Sequence, residues 1–329
     1  VRIVISLTIR KEVWQLKEPF VISRVSMNKS FVLVVELRDG QHLGRGECEP
    51  HESDSSRSRD VEDTIEDLRE KIAQGLTRDE LAQLLPPGPA RNAIDCALWD
   101  LEAKKTGQRA WEIAGVALCK PLITAYTICI GSPAEMAAKA VLNRNRPLLK
   151  LKLNAQLCLE RVRAVREAAP NSQIIVDANE AWSYQQLVEL AEPLAELNVA
   201  LIEQPLPAGK DEELAHYSGP VALCADESCL DRDSLVTVKQ RYQFINIKLD
   251  KTGGLTEALN LAKQAKQSGL RIMVGCMTGT SLAMAPAMLI GALAEFCDLD
   301  GPLLLKIDRE PGLRYENSLV HLPQKELWG

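Results

Sequence analysis

The sequence predicts an α/β chain, a barrel of βα units joined to a separate α+β domain. Three observations predict it. Short apolar runs recur at nearly one interval, each run ends on a charged side chain, and the interval is missing from the first third of the chain. The runs are LLKLKLN with Lys150 and Lys152, IIVDANE with Asp177, LIEQP with Glu203, ALCADES with Asp226, and FINIKLD with Lys248. From Lys152 to Lys248 these residues follow one another at steps of 25, 26, 23 and 22. A β-branched or apolar run, a functional group and room for one helix make a βα unit. Charged groups at the C-terminal ends of barrel strands read as an active site.

Residues 1–120 form the α+β part. Strands are predicted over 2–16, 30–38 and 42–48, with the Asp39-Gly40 pair as the hairpin signal. Helices follow at about 60–75, 77–85 and 90–106, the last after the punctuation of Pro86, Pro87, Gly88 and Pro89. The barrel takes residues 121–302. It begins near Leu122 with TAYTICIG, and RIMVGCM (271–277) and EFCDLD (295–300) extend the interval to eight strands. Residues 303–329 form a last segment predicted to return to the first domain.

Bulk properties exclude several classes. A net charge of −6 with no basic cluster argues against a nucleic-acid surface. The apolar stretch SLAMAPAMLIGALAEF is shorter than the ~20 residues a membrane span requires and suits a helix packed on the barrel. The alternating N-terminus reads as a strand rather than a signal peptide. Nine scattered cysteines without a C-x-x-C pair fit free thiols in a reducing cytoplasm. The assembly, monomer or homo-oligomer, is left open.

Lys150 and Lys152 point to one face of their strand, and two ammonium groups so placed are expected to lower at least one pKa. Asp177, Glu203 and Asp226 come from three consecutive strand ends, and hard oxygen ligands converging in this way suit Mg²⁺. Lys248 arrives from the far side, three strands after Asp177, so Lys152 and Lys248 face each other across the metal. One lysine can then remove a proton from a carbon beside a carboxylate while the other delivers one, the ion stabilising the ene-diolate between.

These residues resemble the enolase superfamily, in its muconate-lactonizing-enzyme-like branch. The matching motifs are K-x-K (150–152), D-x-N (Asp177, Asn179), E-Q-P (203–205), D-E-S (226–228) and NIKLDKTGG (246–254). The resemblance implies a modified (β/α)7β TIM-like barrel under an N-terminal α+β capping domain, with Mg²⁺ on Asp177, Glu203 and Asp226. Within the branch, CDLDGP (297–302) resembles the D-x-D of dipeptide epimerases, where the aspartate pair meets a substrate's α-ammonium. The substrate implied is a dipeptide, L-Ala-D-Glu converted to L-Ala-L-Glu in murein peptide recycling. Thr127, Lys150, Cys276, Asp298 and Asp300 would line its site, Lys150 as an electrostatic neighbour and Cys276 through its backbone. A glutamate side chain would meet an arginine from the capping-domain loop after Pro19 and Phe20, where VISRVSMNKS supplies Arg24. Met27 is the alternative matching position; with Met27 there the second residue need not be glutamate, and other L-Ala-Xaa dipeptides come into play.

Rival readings separate on named residues. N-Succinylamino-acid racemase and o-succinylbenzoate synthase share the lysines and metal ligands, but their substrates carry no ammonium for Asp298 and Asp300. Superfamily members that use a late-strand histidine find none here between His216 and His321. An aldolase with Lys248 as Schiff base has no need of three convergent carboxylates, and a scaffold protein has no need of five competent site residues.

Overall fold

The computed structural model describes residues 4–50 and 55–329, so residues 2 and 3 of the first predicted strand lie outside the described residues. Strands β1 (Ser6–Val21), β2 (Ser26–Asp39) and β3 (His42–Cys48) form an antiparallel sheet in that order. Leu33, Val35 and Leu37 lie on one face of β2 and pack with Ile65, Ile72, Leu81 and Ile94 of the helices beneath. The predicted helix over 60–75 is two helices, Ser55–Glu66 and Arg69–Ala73. A capping box between Thr77 and Glu80 starts Arg78–Leu84, and Pro89–Thr106 follows with Pro89 in its first turn. Pairing of β1 with β2 continues to Val21 opposite Ser26. The segment read from sequence as a loop after Phe20 is therefore the tip of a long hairpin, closed by the Ile22 N–H on the Val25 carbonyl at 3.0 Å.

The predicted opening run TAYTICIG holds the first barrel strand, while Leu122–Ile123 just before it is a separate short strand, β4. The barrel strands are β5 (Tyr126–Ile128), β6 (Leu148–Lys152), β7 (Gln173–Asp177), β8 (Val199–Glu203), β9 (Ala222–Ala225), β10 (Phe244–Ile247), β11 (Arg271–Val274) and β12 (Phe296–Cys297). They lie side by side in chain order, and every neighbouring pair is parallel. The circle closes between the ends: the Ala125 N–H donates to the Cys297 carbonyl at 2.8 Å, and the Leu299 N–H to Thr124 Oγ1 at 2.8 Å. β4 instead pairs with β14 (Leu319–Val320), which pairs with β13 (Tyr315–Glu316). The steps from Glu203 to Asp226 and from Asp226 to Lys248 hold no full helix, only the 3₁₀ turn Glu212–His216 and the single turn Leu235–Val238.

Ala125, Leu148, Ile175, Leu201, Cys224, Phe244, Met273 and Phe296, one from each strand position, form a buried apolar ring inside the barrel. This ring is the floor on which the mouth is built. The capping sheet and its helices sit against the C-terminal ends of the strands. Arg91 donates to the carbonyls of Thr252 (2.6 Å) and Gly253 (3.0 Å), and Asp95 accepts from the Thr256 N–H at 2.9 Å. The Gly253-Gly254 pair permits this approach: both have positive φ, and a Cβ there would meet Arg91 at 2.3 Å and Asp95 at 2.5 Å. The C-terminal segment touches the same domain, with the Gly329 N–H on Asp100 Oδ1 at 2.7 Å and Arg309 between Glu12 and Glu47. All nine cysteines are free, and no described helix is long and apolar enough to cross a membrane.

Candidate active site

Alternation along each strand fixes which side chains enter the mouth. Two residues beyond the floor ring, on the same inward face, stand Thr127, Lys150, Asp177, Glu203, Asp226, Asn246 and Asp298. A further step of two gives Lys152, Lys248 and Asp300. All three lysines are buried. Lys150 Nζ lies 2.7 Å from Glu203 Oε2, 2.9 Å from Asp298 Oδ2 and 3.2 Å from Asp177 Oδ2. Lys152 Nζ is 2.7 Å from Asp177 Oδ2, and Lys248 Nζ is 2.7 Å from Asp226 Oδ2. β6 and β10 are the second and sixth of eight strands, so Lys152 and Lys248 approach from diametrically opposite walls.

The expectation that one of the same-face lysines has a lowered pKa is overturned, although Lys150 does pull Lys152 down. Burial works against the Lys150 charge, but Asp298, Glu203 and Asp177 outweigh it and hold its pKa well above the ordinary lysine value. Lys152 and Lys248 are raised in the same way, against burial, chiefly by Asp177 and Asp226 respectively. Among the carboxylates, burial resists ionisation of Asp177, yet Lys152 and Lys150 pull it down to about 2. Asp226 falls well below the usual range through Lys248 and Lys251. Glu203 goes the other way, to about 7, pushed by burial and by Asp177. The cluster is short of positive charge.

That shortage is the fit test for an ion. Asp177, Glu203 and Asp226 offer carboxylate oxygens within 4.8 Å of one another, all buried, on three adjacent strand ends. Hard oxygen donors in this number suit Mg²⁺, which keeps further positions for water and substrate. The backbone around them is strained and braced. Asn179 and Glu180 after β7, and Gln204 after β8, have φ of 42°, 67° and 36°. The Gln204 side chain accepts from the N–H groups of Asp226 (2.9 Å) and Ser228 (3.1 Å), tying one ligand strand to the next.

The cavity above the cluster is lined by Arg24, Thr127, Lys150, Lys152, Asp226, Lys248, Cys276, Asp298 and Asp300. Asp177 and Glu203 lie beneath it. Asp300 Oδ2 accepts the Thr127 N–H at 2.6 Å, and Asp298 Oδ1 is buried without a hydrogen-bond partner. Burial and Asp298 push Asp300 up to about 7. Burial also pushes the Cys276 thiol well above its usual pKa, which keeps it a neutral neighbour. Arg24, at the hairpin tip, reaches Glu180 and Glu227. Met27 is turned towards the Thr278 hydroxyl, which donates to its Sδ at 3.8 Å.

Sequence reasoning missed three members. Lys251 reaches back to Asp226 and to the Asn246 carbonyl (3.1 Å); it stands one helical turn past Lys248, a spacing that was there to be read. Asn246, two residues before Lys248 and so on the same face, donates to Glu203 Oε1 at 2.7 Å. Gly275 faces it, where a Cβ would meet Asn246 Oδ1 at 2.6 Å. Glu227 stands inside the quoted D-E-S motif, but nothing local to it points to Arg24.

A closed barrel under a cap, with buried acid, base and ion-binding groups at its mouth, defines a barrel enzyme of the enolase type. The chain belongs to the mandelate racemase / muconate lactonizing enzyme family: its N-terminal domain model matches residues 4–115, and the enolase C-terminal domain-like model matches residues 134–326. The chain is 44% identical over 314 residues to the L-Ala-D/L-Glu epimerase of Escherichia coli K12, covering 95% of this chain and 98% of that protein. It is also 44% identical over 305 residues to an N-acetyl-D-glutamate racemase of Pseudoalteromonas, covering 91% and 95%. A crystal structure of an enolase family member from Agrobacterium tumefaciens, with bound sodium and L-Ala-L-Glu, superposes with a TM-score of 0.95 at 50% identity, covering 99% and 100%. A dipeptide epimerase from Enterococcus faecalis V583, complexed with Mg and L-Leu-L-Tyr, gives 0.89 at 27% identity, covering 98% of both chains.

Proposed function

We propose that this protein is a Mg²⁺-dependent dipeptide epimerase that moves the α-proton of a dipeptide's C-terminal residue from one face to the other. L-Ala-D-Glu and L-Ala-L-Glu are the substrate pair, in recycling of murein peptides in the cytoplasm. The observation that carries the reading is the pair of buried lysines on opposite walls, each against a carboxylate of the acidic cluster.

Asp177, Glu203 and Asp226 would hold the ion, which supplies Lewis-acid charge to the substrate carboxylate. The other roles belong to this chain's own residues. Lys152 serves one face of the α-carbon and Lys248 the other; with Asp177 and Asp226 committed to the ion, the amine facing the α-proton would work as the neutral base, and the ammonium opposite would return a proton. Lys150, buried among three carboxylates, stays charged and contributes positive potential beside the developing negative charge. Asp298 and Asp300 receive the α-ammonium, and the unpartnered Asp298 Oδ1 supplies an acceptor for it. Thr127 fixes Asp300, Cys276 forms wall, and Arg24 takes the glutamate side chain.

A racemase of N-acetylglutamate is the second reading, because a relative of equal identity carries that activity. The two substrates differ by the ammonium that the aspartate pair would meet. Incubation in D2O should place deuterium at the glutamate Cα of L-Ala-L-Glu, stop with EDTA and resume with Mg²⁺. N-acetyl-glutamate should exchange far more slowly. No exchange with any dipeptide defeats the proposal, and faster exchange of the acetylated compound favours the racemase.

A further inference from the structure

We infer that Asp211 is a positioning residue for the ion site: through the hydroxyls of Ser228 and Tyr242 and the amide of Gln204, it fixes the backbone that carries Glu203 and Asp226. The inference rests on the reading of Asp177, Glu203 and Asp226 as a Mg²⁺ site, and it names what holds two of those ligands in place.

Residues from separate connections meet here. Gln204 directly follows β8, and Asp211 lies just ahead of the 3₁₀ turn between β8 and β9. Ser228 closes the D-E-S motif after β9, and Tyr242 lies shortly before β10. Asp211, Gln204 and Tyr242 are buried, and neither they nor Ser228 line the cavity above the ion site. Asp211 Oδ2 accepts from the Ser228 and Tyr242 hydroxyls, both at 2.6 Å, while Asp211 Oδ1 accepts from Arg241 Nη1 at 2.6 Å.

Counting protons fixes every direction in this chain of bonds. A carboxylate paired with a guanidinium offers only acceptors, so each hydroxyl gives its one proton to Asp211. Both hydroxyls are then acceptors towards Gln204 Nε2, which donates to Ser228 at 2.8 Å, to Tyr242 at 3.1 Å and to the Leu206 carbonyl at 2.8 Å. The amide oxygen is thereby turned to the N–H groups of Asp226 and Ser228, at 2.9 and 3.1 Å. Burial and the Asp211 hydrogen bond hold the Tyr242 phenol well above its ordinary pKa, so it remains a donor.

Placement gives these bonds their role. Gln204 has a φ of 36°, which a residue other than glycine keeps only under constraint. Glu203 is its neighbour in the chain and Asp226 hangs on its side chain, so a shift of Gln204 moves both ligands together. For the fold alone, an apolar filling would serve at least as well as a buried acid with its partners. A fully satisfied polar network adds a defined geometry, and here it ends on the ion ligands.

The test measures Mg²⁺ affinity by calorimetry, and the stability of the metal-free protein by chemical denaturation. The proteins are the wild type, Tyr242→Phe, Asp211→Asn and the double variant. In Asp211→Asn the new NH2 group must face either Arg241 or the two hydroxyls, donor against donor in both cases. Its Mg²⁺ affinity should fall by about 10–100-fold. Tyr242→Phe keeps every charge and should weaken affinity by ~3-fold or more. Once Tyr242→Phe is made, Asp211→Asn should cost a smaller factor than it does in the wild type, because the two residues act in series. Unchanged affinity in Tyr242→Phe or in folded Asp211→Asn, with only the denaturation midpoint lowered, makes the network structural and overturns the inference. Fully additive losses overturn it too, since Asp211 would then act by another route. If Asp211→Asn does not fold, Tyr242→Phe decides alone. A wild type that binds no Mg²⁺ is a different result: it removes the ion-site reading, and this inference with it.

Discussion

The floor and the mouth of the barrel are built by the same strands, on the same inward face, two residues apart. At the floor stand Leu148, Ile175, Leu201, Cys224 and Phe244; one inward position later stand Lys150, Asp177, Glu203, Asp226 and Asn246. The first set is a packed apolar ring, with Phe244 and Phe296 at 5.6 Å between ring centroids. The second is as deeply buried but made of four charges and an amide that no hydrocarbon neighbour could satisfy. The difference teaches that burial here does two jobs. At the floor it excludes water to hold the fold, and at the mouth it leaves each carboxylate dependent on an amine or an ion.

The comparison breaks hardest at the mouth. Replacing Lys152 or Lys248 with alanine should lower net epimerisation by ~10³-fold or more, read as optical rotation change with L-Ala-L-Glu. Both variants should still fold, because Lys150 remains on Asp177 and Lys251 on Asp226. Near-normal turnover by either would mean that the buried amines are structural. At the floor the loss should appear as stability instead. Phe244→Ala should cost about 3–5 kcal/mol in chemical denaturation, while the folded fraction keeps its turnover. A variant equally stable but inactive would blur the division between the two levels.

The seam between cap and barrel behaves in a third way. Burial raises Asp95 to about 6 from an ordinary value of 3.8, although Thr256 hydrogen bonds oppose it. The folded state thus holds this proton more tightly than the unfolded chain. Its contribution favours folding below about pH 4, fades as pH rises towards 6, and changes no further above that. The whole span amounts to about 3 kcal/mol. Denaturation midpoints of the wild type and Asp95→Asn at several pH values should diverge across that window, and parallel curves would contradict the assignment. Smallest is Gly275→Ala, whose Cβ would press on Asn246 and loosen its hold on Glu203. Mg²⁺ affinity measured by calorimetry should weaken by about 10–100-fold. Unchanged affinity would show that Asn246 does not orient this ligand.

The site was more legible in the sequence than its surroundings were. Side-chain alternation and the recurring interval suffice to bring Lys150, Lys152, Asp177, Glu203, Asp226 and Lys248 to one mouth, because both are properties of a short stretch of chain. The role of Leu122 and Ile123, just ahead of the first barrel strand, was hidden for the opposite reason: their partner, β14, lies near the C-terminus. The lysine pKa values also turn on distant residues. Lys150 and Lys152 are neighbours in sequence, whereas Asp298, which helps hold Lys150 charged, comes from the last barrel strand end. Arg24 was named from the sequence, but the two glutamates that grip it come from two other loops.

The most direct measurement is hydrogen exchange in the two lysine variants, with each epimer supplied separately. If the amines serve opposite faces, Lys152→Ala should still exchange the α-proton of one epimer with solvent and lose the other, and Lys248→Ala should show the reverse. Exchange confined to the same epimer in both variants would contradict the account.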